Sequence, residues 1–241
     1  MIANKYVDFV SDKEFLECIK WVCDAYQKLT NEVDMIQLQK NALDPFKIIF
    51  DIVTGKINAD TWVKSERVRQ LDKTINNKIG EFHQKLLGKV NGWTDLERGN
   101  ELGIDLKKND DSILIELKNK HNTVKGEDLK NVFDKLKKVA NKYKKSMVYY
   151  AYIVPKRPGR GERIWNPSQR KSHERIKEVW GSRVYEIVTG DPNALKKTWD
   201  ALPLAISDYT KSGFKITKTD LEKLLGFFEN VFGGRHQQDN L

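Results

Sequence analysis

The amino-acid sequence predicts an α/β fold, with a central mixed sheet flanked by helices and a mostly helical N-terminal part. Apolar residues recur at helical spacing through about the first ninety residues, and short β-rich runs begin near residue 100. Helical and strand patterns then alternate, which is typical of an α/β core. No linker-like stretch interrupts the chain, so we expect one domain over residues 1–241: a helical part (1–90), a core (91–210) and a C-terminal helix (211–241).

Capping residues mark the N-terminal helices. Ser11 and Glu14 have capping-box spacing at the start of the first amphipathic run. Asp44 and Pro45 are typical of the cap and the first position of a second helix. A long helix with a periodic apolar face is expected from about residue 58 or 60 to residue 87.

The later patterns predict the core. "ELGIDL" and "SILIELK", joined by the polar "KKNDD", predict a β-hairpin. "GEDLKNVFDKLKKVANKYKK" predicts an amphipathic helix, and "SMVYYAYIV" predicts a strand buried on both faces. After a basic loop, "RVYEIVTG" predicts another strand. A helix from about residue 191 to residue 207 follows, and Thr219 and Glu222 are expected to cap a last helix.

The charge of the chain favours a polyanionic partner, nucleic acid first. The formal net charge is +9, and residues 155–175 hold seven Lys and Arg residues against two Glu residues. Cys18 and Cys23 are too few for a zinc site, so we expect free thiols in a reducing compartment. No apolar run is long enough to cross a bilayer and no signal-like segment opens the chain, so we expect a cytoplasmic protein with no membrane partner.

Polar side chains stand near the ends of the two hairpin strands. Side chains alternate along a strand, so Glu116 and Lys118 point to the same face, about 6 to 7 Å apart. Asp105 lies on the partner strand. If the turn centres near residue 109, Asp105 falls close to opposite residue 113 or 114, and a small bulge or splay brings its carboxylate towards Glu116. The two carboxylates and the Leu117 backbone carbonyl form an oxygen-rich site for Mg²⁺, and Lys118 can position a water and stabilise charge on a phosphate.

For the bare spacing of these residues, solvated acidic side chains near strand ends are the commoner interpretation. Three further features favour a metal-dependent nuclease site. The apolar run "SILI" precedes Glu116, a helix begins within ten residues of it, and the basic stretch lies downstream.

The segment "GIDL…ILIELKNK" resembles the PD-(D/E)xK nuclease motif, with Asp105, Glu116 and Lys118 as its members and Ile104 in place of the usual proline. The order of elements over about residues 70–208 resembles the restriction-endonuclease-like core of that superfamily. "YAYIVPKRPGRGERIWNPSQR" followed by "VYEIVTGDPNAL" is similar to type II restriction endonucleases of the group that cuts GGNCC. The resemblance implies Mg²⁺-dependent cleavage of double-stranded DNA, a homodimer on a near-palindromic site, a partner DNA methyltransferase and a bacterial or archaeal cytoplasm.

Further residues are candidates for contact with metal or DNA. Glu81 on the long helix is a candidate metal ligand, and its alternative is an ion pair with Lys78 or Lys85 at helical spacing. Trp165 either anchors the basic loop or stacks on a partner. Three residues just past the second hairpin strand lie where a DNA backbone would run: Asn119, Lys120 and Asn122. The basic loop suits base reading and phosphate contact through Lys156, Arg157, Arg160, Arg163, Arg170 and Lys171.

Three functions remain open from the sequence. The first is sequence-specific DNA cleavage. The second is a repair or recombination nuclease that uses the same site on junctions or ends. The third is a non-catalytic basic DNA-binding module whose acidic cluster is structural. The intact Asp–Glu–Lys set favours catalysis, and the Arg-rich loop together with the helical N-terminal part favours base readout.

Overall fold

The computed structural model describes residues 4–30, 43–97, 99–167, 170–213 and 215–233. Within these ranges there are seven helices and six strands. The helices are α1 (Asp12–Thr30), α2 (Pro45–Gly55), α3 (Ala59–Gly88), α4 (Gly126–Lys142), α5 (Ser182–Thr189), α6 (Ala194–Thr210) and α7 (Lys218–Phe232). The strands are β1 (Trp93–Asp95), β2 (Leu106–Lys108), β3 (Ile113–Lys120), β4 (Met147–Val154), β5 (Gly161–Ile164) and β6 (Ile176–Trp180).

The N-terminal helices begin at the predicted capping residues. The Glu14 N–H donates to Ser11 Oγ at 3.3 Å, and the Ser11 N–H donates to the Glu14 carboxylate at 3.1 Å, which closes a capping box. The Asp44 side chain accepts from two backbone N–H groups at the start of α2, and Pro45 occupies the first helical position. The predicted long helix is confirmed as α3.

The six strands form one mixed sheet in the order β1-β2-β3-β4-β6-β5. Strands β1, β2 and β3 are antiparallel neighbours, whereas β3, β4 and β6 run parallel. Strand β5 closes the far edge antiparallel to β6. The predicted α/β class with a mixed sheet is confirmed. The three parallel strands have their carboxyl ends on the same side of the sheet.

Helices cover both faces of the sheet. On one face, apolar residues of α4 pack against β3, β4, β6 and the ring of Trp165. The alternate residues of the strands face the other way, where α5 contacts β4 and β6. Arg183 at the start of α5 donates to Glu162 of β5 at 3.1 Å on this second face. The buried cluster under α4 contains Ile104, Leu114, Phe133, Leu136, Val139, Ala140, Val148, Tyr150, Trp165 and Ile176.

Three predictions of local structure are wrong. The segment "RVYEIVTG" lies in α5 and is not a strand, because its buried residues Val184, Tyr185 and Val188 follow helical spacing. The strand beside β4 is β6, whose charged residues break the apolar pattern, and β5 falls inside the predicted basic loop. Helix α7 is capped by the side chain of Thr217, which accepts from the Asp220 N–H at 3.1 Å, and not by Thr219.

The chain divides into two compact units. The larger contains the residues up to Ile19 and those from Phe82 onward, with the whole sheet and helices α4 to α7. The smaller spans Lys20–Glu81 and contains α2 and most of α3. The single domain expected from the sequence stays a prediction. Cys18 and Cys23 are free and buried, as expected, and none of the described helices is long and apolar enough to span a membrane.

Candidate active site

The register of the β2–β3 hairpin differs from the prediction. Leu106 pairs with Ile115, so the turn centres between residues 110 and 111 and not near residue 109. Asp105 therefore does not lie opposite residue 113 or 114. The loop between the two strands is residues 109–112, in which the Asp110 carboxylate accepts from the Ser112 N–H at 2.9 Å and Asp111 adopts a φ of 60°.

The backbone bends at Asp105, in agreement with the small bulge or splay predicted there from the sequence. Its N–H donates to the Ile115 carbonyl on one side, and its carbonyl accepts from the Leu96 N–H on the other, both at 2.9 Å. In an extended strand both groups of one residue point to the same neighbour. The bend turns the Asp105 carboxylate onto β3, where Oδ2 accepts from the Leu117 N–H at 2.6 Å.

Glu116 is the buried centre of the site. It is only 5% exposed, and each of its carboxylate oxygens accepts from a different lysine. Lys118 Nζ donates to Oε1 at 2.5 Å, and Lys135 Nζ donates to Oε2 at 2.6 Å. Lys118 Nζ also lies 3.8 Å from Asp105 Oδ2. The structure therefore brings together all three residues of the predicted set, with an ammonium group between two carboxylates.

Lys135 of α4 is the member of this cluster that the sequence interpretation missed. The same ammonium also donates to the Gly103 carbonyl. In sequence Lys135 is one of several lysines on an amphipathic helix, and a solvated face is the ordinary interpretation of such residues. One feature of the sequence could have identified Lys135. It lies beside the core residues Phe133 and Leu136, on the helix that follows the strand carrying Glu116.

The Leu117 carbonyl points towards the same place as Asp105. The Leu117 N–H faces the β2 side of β3, since it donates to the Asp105 carboxylate. Within an extended strand the carbonyl of a residue points the same way as its N–H. The Leu117 carbonyl therefore points to the side of β3 where Asp105 lies, past the last residues of β3 that pair with β2. This is the position expected for a third oxygen ligand.

The surroundings of Asp105 raise the pKa of its carboxyl group. Burial raises the pKa of the Asp105 carboxyl above its ordinary value, and the neighbouring Glu116 raises it further. The Lys118 ammonium, the hydrogen bond from Leu117 and the Lys135 ammonium act in the opposite direction. Positive charge beside a buried carboxyl favours its ionised form, so these contacts limit the rise in the pKa of Asp105.

The donor set of this site fits Mg²⁺. Two carboxylates and a backbone carbonyl are hard oxygen ligands, and Mg²⁺ commonly takes only one or two carboxylates from the protein. Lys118 lies within 4 Å of both carboxylates, so the geometry already attracts a cation to the point between them. Among the described residues no group of three or more His, Cys, Asp or Glu side chains is arranged to hold a metal, so no competing cluster of that kind was found there.

Comparison with known proteins identifies the family. The model of the Eco47II restriction endonuclease family matches residues 7–211, which include the whole site. The chain belongs to this family. The type II restriction enzyme Sau96I of Staphylococcus aureus is 33% identical over 220 residues, covering 88% of this chain and 84% of the relative. The type II restriction enzyme Eco47II of Escherichia coli is 31% identical over 243 residues, covering 94% and 99%. The protein is thus a type II restriction endonuclease, a site-specific deoxyribonuclease.

A row of side chains links the site of this endonuclease to the rest of the sheet. Glu116, Tyr150 and Glu178 are paired in register across β3, β4 and β6. Burial and the two flanking carboxylates raise the pKa of Tyr150 to about 12. The Trp165 ring stacks on Tyr150 with centroids 4.4 Å apart and planes at 7°, and it is 4% exposed. Trp165 therefore anchors the basic loop to the core and is not free to stack on a partner.

A cavity of about 1030 Å³ opens on the same face of the sheet. Tyr152 and Trp180 form part of its wall, and both are in register with Lys118 across the parallel strands. Their rings stack with centroids 6.2 Å apart. Four of the predicted DNA-contact residues also line the cavity, namely Lys156, Arg157, Arg160 and Arg163. The basic loop of the endonuclease therefore lies one to two strands from Lys118.

Several basic residues of this region already have acidic partners. Arg163 Nε donates to Glu178, which is 8% exposed, and Arg160 donates to Glu186 at 2.9 Å. Arg170, predicted to contact DNA, donates to the Asp134 carboxylate of α4 at 2.6 Å. Lys171 is exposed. These contacts orient the arginines, and contact with DNA stays a prediction for the whole set.

The remaining candidates lie at the end of β3, just after it and on α3. Asn119 and Lys120, predicted to follow the strand, are its last two residues, and Asn122 lies beyond it. Asn119 is partly buried and its Oδ1 has no hydrogen-bond partner among the described residues, whereas Lys120 and Asn122 are exposed. Glu81 accepts from Trp21 Nε1 at 2.5 Å and from Lys78 at 2.9 Å within the smaller unit. The predicted pairing of Glu81 with Lys78 is confirmed, and its role as a metal ligand stays a prediction.

Proposed function

We propose that this restriction endonuclease hydrolyses phosphodiester bonds of double-stranded DNA in a Mg²⁺-dependent reaction at a short specific site. In this proposal Asp105, Glu116 and Lys118 have the roles of the PD-(D/E)xK motif. The observation that supports it most is the Lys118 ammonium, 2.5 Å from Glu116 and 3.8 Å from Asp105. Two neighbouring carboxylates that can bind a metal ion, with a lysine beside them, supply the groups that can promote hydrolysis of a phosphate diester.

The Asp105 and Glu116 carboxylates and the Leu117 carbonyl would hold the Mg²⁺ ion. Mg²⁺ supplies positive charge, which stabilises the charge that develops on the phosphate and promotes ionisation of a water. Lys118 would exchange its contact with Glu116 for the attacking water and a phosphate oxygen. Its three N–H donors orient the water in line with the bond that breaks and neutralise the phosphate oxygen. The water oxygen would bond to phosphorus as the bond to the leaving sugar oxygen breaks. The proton that the water loses would pass to solvent, and the leaving oxygen would take a proton from solvent.

The DNA would lie across the edge where β3, β4 and β6 end. The basic loop is on the same face as Lys118, and its arginines can donate to guanine O6 and N7 in the major groove. Asn119 and Lys120 are the last two residues of β3, Asn122 follows the strand, and all three would contact the DNA backbone. From the sequence resemblance we propose GGNCC as the recognition site, a homodimer to match its near-palindromic symmetry, and a DNA methyltransferase that protects the host site.

Family membership favours restriction over the two other functions left open by the sequence. A repair or recombination nuclease would share the acidic pair and lysine, but both relatives named above are type II restriction enzymes. A non-catalytic module does not agree with membership of an endonuclease family.

The first experiment incubates the purified protein with unmethylated phage DNA and Mg²⁺ and sequences the fragment ends. Discrete fragments that share one short motif are expected, and their ends give the site and the stagger. Parallel reactions in EDTA and with Glu116→Gln are expected to leave the DNA intact. A smear of fragments, or cleavage only at junctions and ends, would contradict the proposal and favour the repair nuclease.

A further inference from the structure

Lys135 lies on the inner side of α4 without belonging to the apolar core. Its neighbours Phe133 and Leu136 are fully buried against the sheet. The Lys135 side chain is 34% exposed, and its ammonium reaches Glu116 in the middle of β3. Ordering a long lysine side chain costs rotamer entropy, so a lysine held in this way needs compensating contacts.

Two contacts hold the Lys135 ammonium. It donates to Glu116 Oε2 at 2.6 Å and to the backbone carbonyl of Gly103. Gly103 has a φ of 62°, and a Cβ at this position would lie 3.1 Å from Lys135 Cδ. A glycine adopts this conformation without strain and leaves room for the lysine chain. Gly103 precedes Asp105 by two residues, so one ammonium connects both segments that carry the acidic residues.

The two lysines at Glu116 have different tasks. Lys118 occupies Oε1 and lies 3.8 Å from Asp105, at the point proposed for the metal and the attacking water. It must leave Glu116 to act on the phosphate. Lys135 occupies Oε2, and its second bond goes to the backbone. If Lys118 moves as proposed above, the contacts of Lys135 with Oε2 and with the Gly103 carbonyl need not break, so they can hold the Glu116 carboxylate in place.

We propose that Lys135 is a positioning residue for DNA cleavage, which fixes the orientation of Glu116 and its distance from the Asp105 segment. This inference rests on the proposed function of the same site. A partner that orients a metal-binding carboxylate typically contributes 10- to 100-fold in activity or metal affinity. We therefore expect Lys135→Met to slow cleavage by about this factor.

The test compares Lys135→Met and Lys135→Arg with Lys138→Met, which removes an exposed lysine of the same helix. The substrate is a duplex that carries the site mapped on phage DNA. The single-turnover rate is measured over a range of Mg²⁺ concentrations, DNA affinity is measured in Ca²⁺, and stability is measured as the melting temperature. We expect Lys135→Met to lose rate while DNA affinity stays near that of the parent and the melting temperature falls by only a few degrees, because Lys118 still pairs with Glu116. Lys135→Arg should recover most of the rate because it retains the charge and the donors, and Lys138→Met should match the parent.

Two results would overturn the inference. The first is Lys135→Met cleaving as fast as the parent across the Mg²⁺ range. The second is a loss of DNA affinity and melting temperature in both Lys135 variants, in proportion to the lost rate, which would mark a purely structural lysine. A parent protein that cleaves no DNA with Mg²⁺ would reject the proposed function and this inference with it. If the parent cleaves DNA and Lys135→Met is equally active, the inference about Lys135 is rejected and the proposed function stands.

Discussion

Replacing Glu116 by glutamine tests the proposed site most directly, because the change removes the charge and keeps the shape of the side chain. Glu116 is 5% exposed and accepts from Lys118 at 2.5 Å and from Lys135 at 2.6 Å. A catalytic metal ion contributes several kcal/mol to stabilisation of the transition state. Losing about 4 kcal/mol of it slows the reaction about a thousandfold, so we expect Glu116→Gln to cleave at least this much more slowly.

Glu116→Gln also lowers the free energy of unfolding, and the exposure of the two lysines determines by how much. Removing one partner of a fully buried ion pair costs about 3–5 kcal/mol. Here the lysines left behind are 21% and 34% exposed, so water solvates them once Glu116 is neutral. We therefore expect a loss of about 1–2 kcal/mol. For a chain of this size the melting temperature then falls by about 2–8 °C.

Three measurements check this reasoning on parent and variant. They are the single-turnover cleavage rate in Mg²⁺, the affinity for the site in Ca²⁺ by gel shift, and the melting temperature. Glu116→Ala serves as a second variant, in which cleavage is also lost and binding in Ca²⁺ survives. Cleavage by either variant at the parent rate would remove Glu116 from the mechanism. A fall in melting temperature far beyond the expected range would show that the ion pairs are structural.

Three further predictions follow from the site and its surroundings. The folded state raises the pKa of Asp105, so stability is lost as the pH rises through that value. In EDTA, Asp105→Asn should therefore melt above the parent at neutral pH, with a gain that fades as the pH falls below the raised pKa; an equal melting temperature at neutral pH would contradict this. Arg160→Ala and Arg163→Ala should each weaken binding to the specific site more than binding to random DNA at the same salt concentration, whereas equal losses would make them phosphate contacts. Trp165→Ala removes a buried ring stacked on Tyr150 and should cost about 3–5 kcal/mol in chemical unfolding, and an unchanged denaturation midpoint would refute its role as an anchor.

Much of the fold could be predicted because its signals are local. Ser11 and Asp44 satisfy backbone groups within a few residues, so the starts of α1 and α2 can be recognised without the rest of the chain. Apolar periodicity likewise predicts α3, α4 and β4. The short segments were harder. Strand β6 contains the charged residues Lys177 and Glu178, which do not follow a strand pattern of apolar residues. In the folded protein Glu178 accepts from Arg163, and Lys177 donates to Glu162.

The sequence by itself determined the α/β class and the basic stretch, which depend on periodicity and composition. It also singled out Asp105, Glu116 and Lys118, through their neighbouring segments and their resemblance to a known motif. The tertiary structure decided how these parts meet. The bend at Asp105 depends on hydrogen bonds to strands on both sides, and the place of Lys135 depends on α4 packing across β3. Lys135 and Glu116 are 19 residues apart in the chain. The position of Lys135 beside core residues of an amphipathic helix does not show which distant residue it contacts, so its contact with Glu116 became visible only in the folded protein.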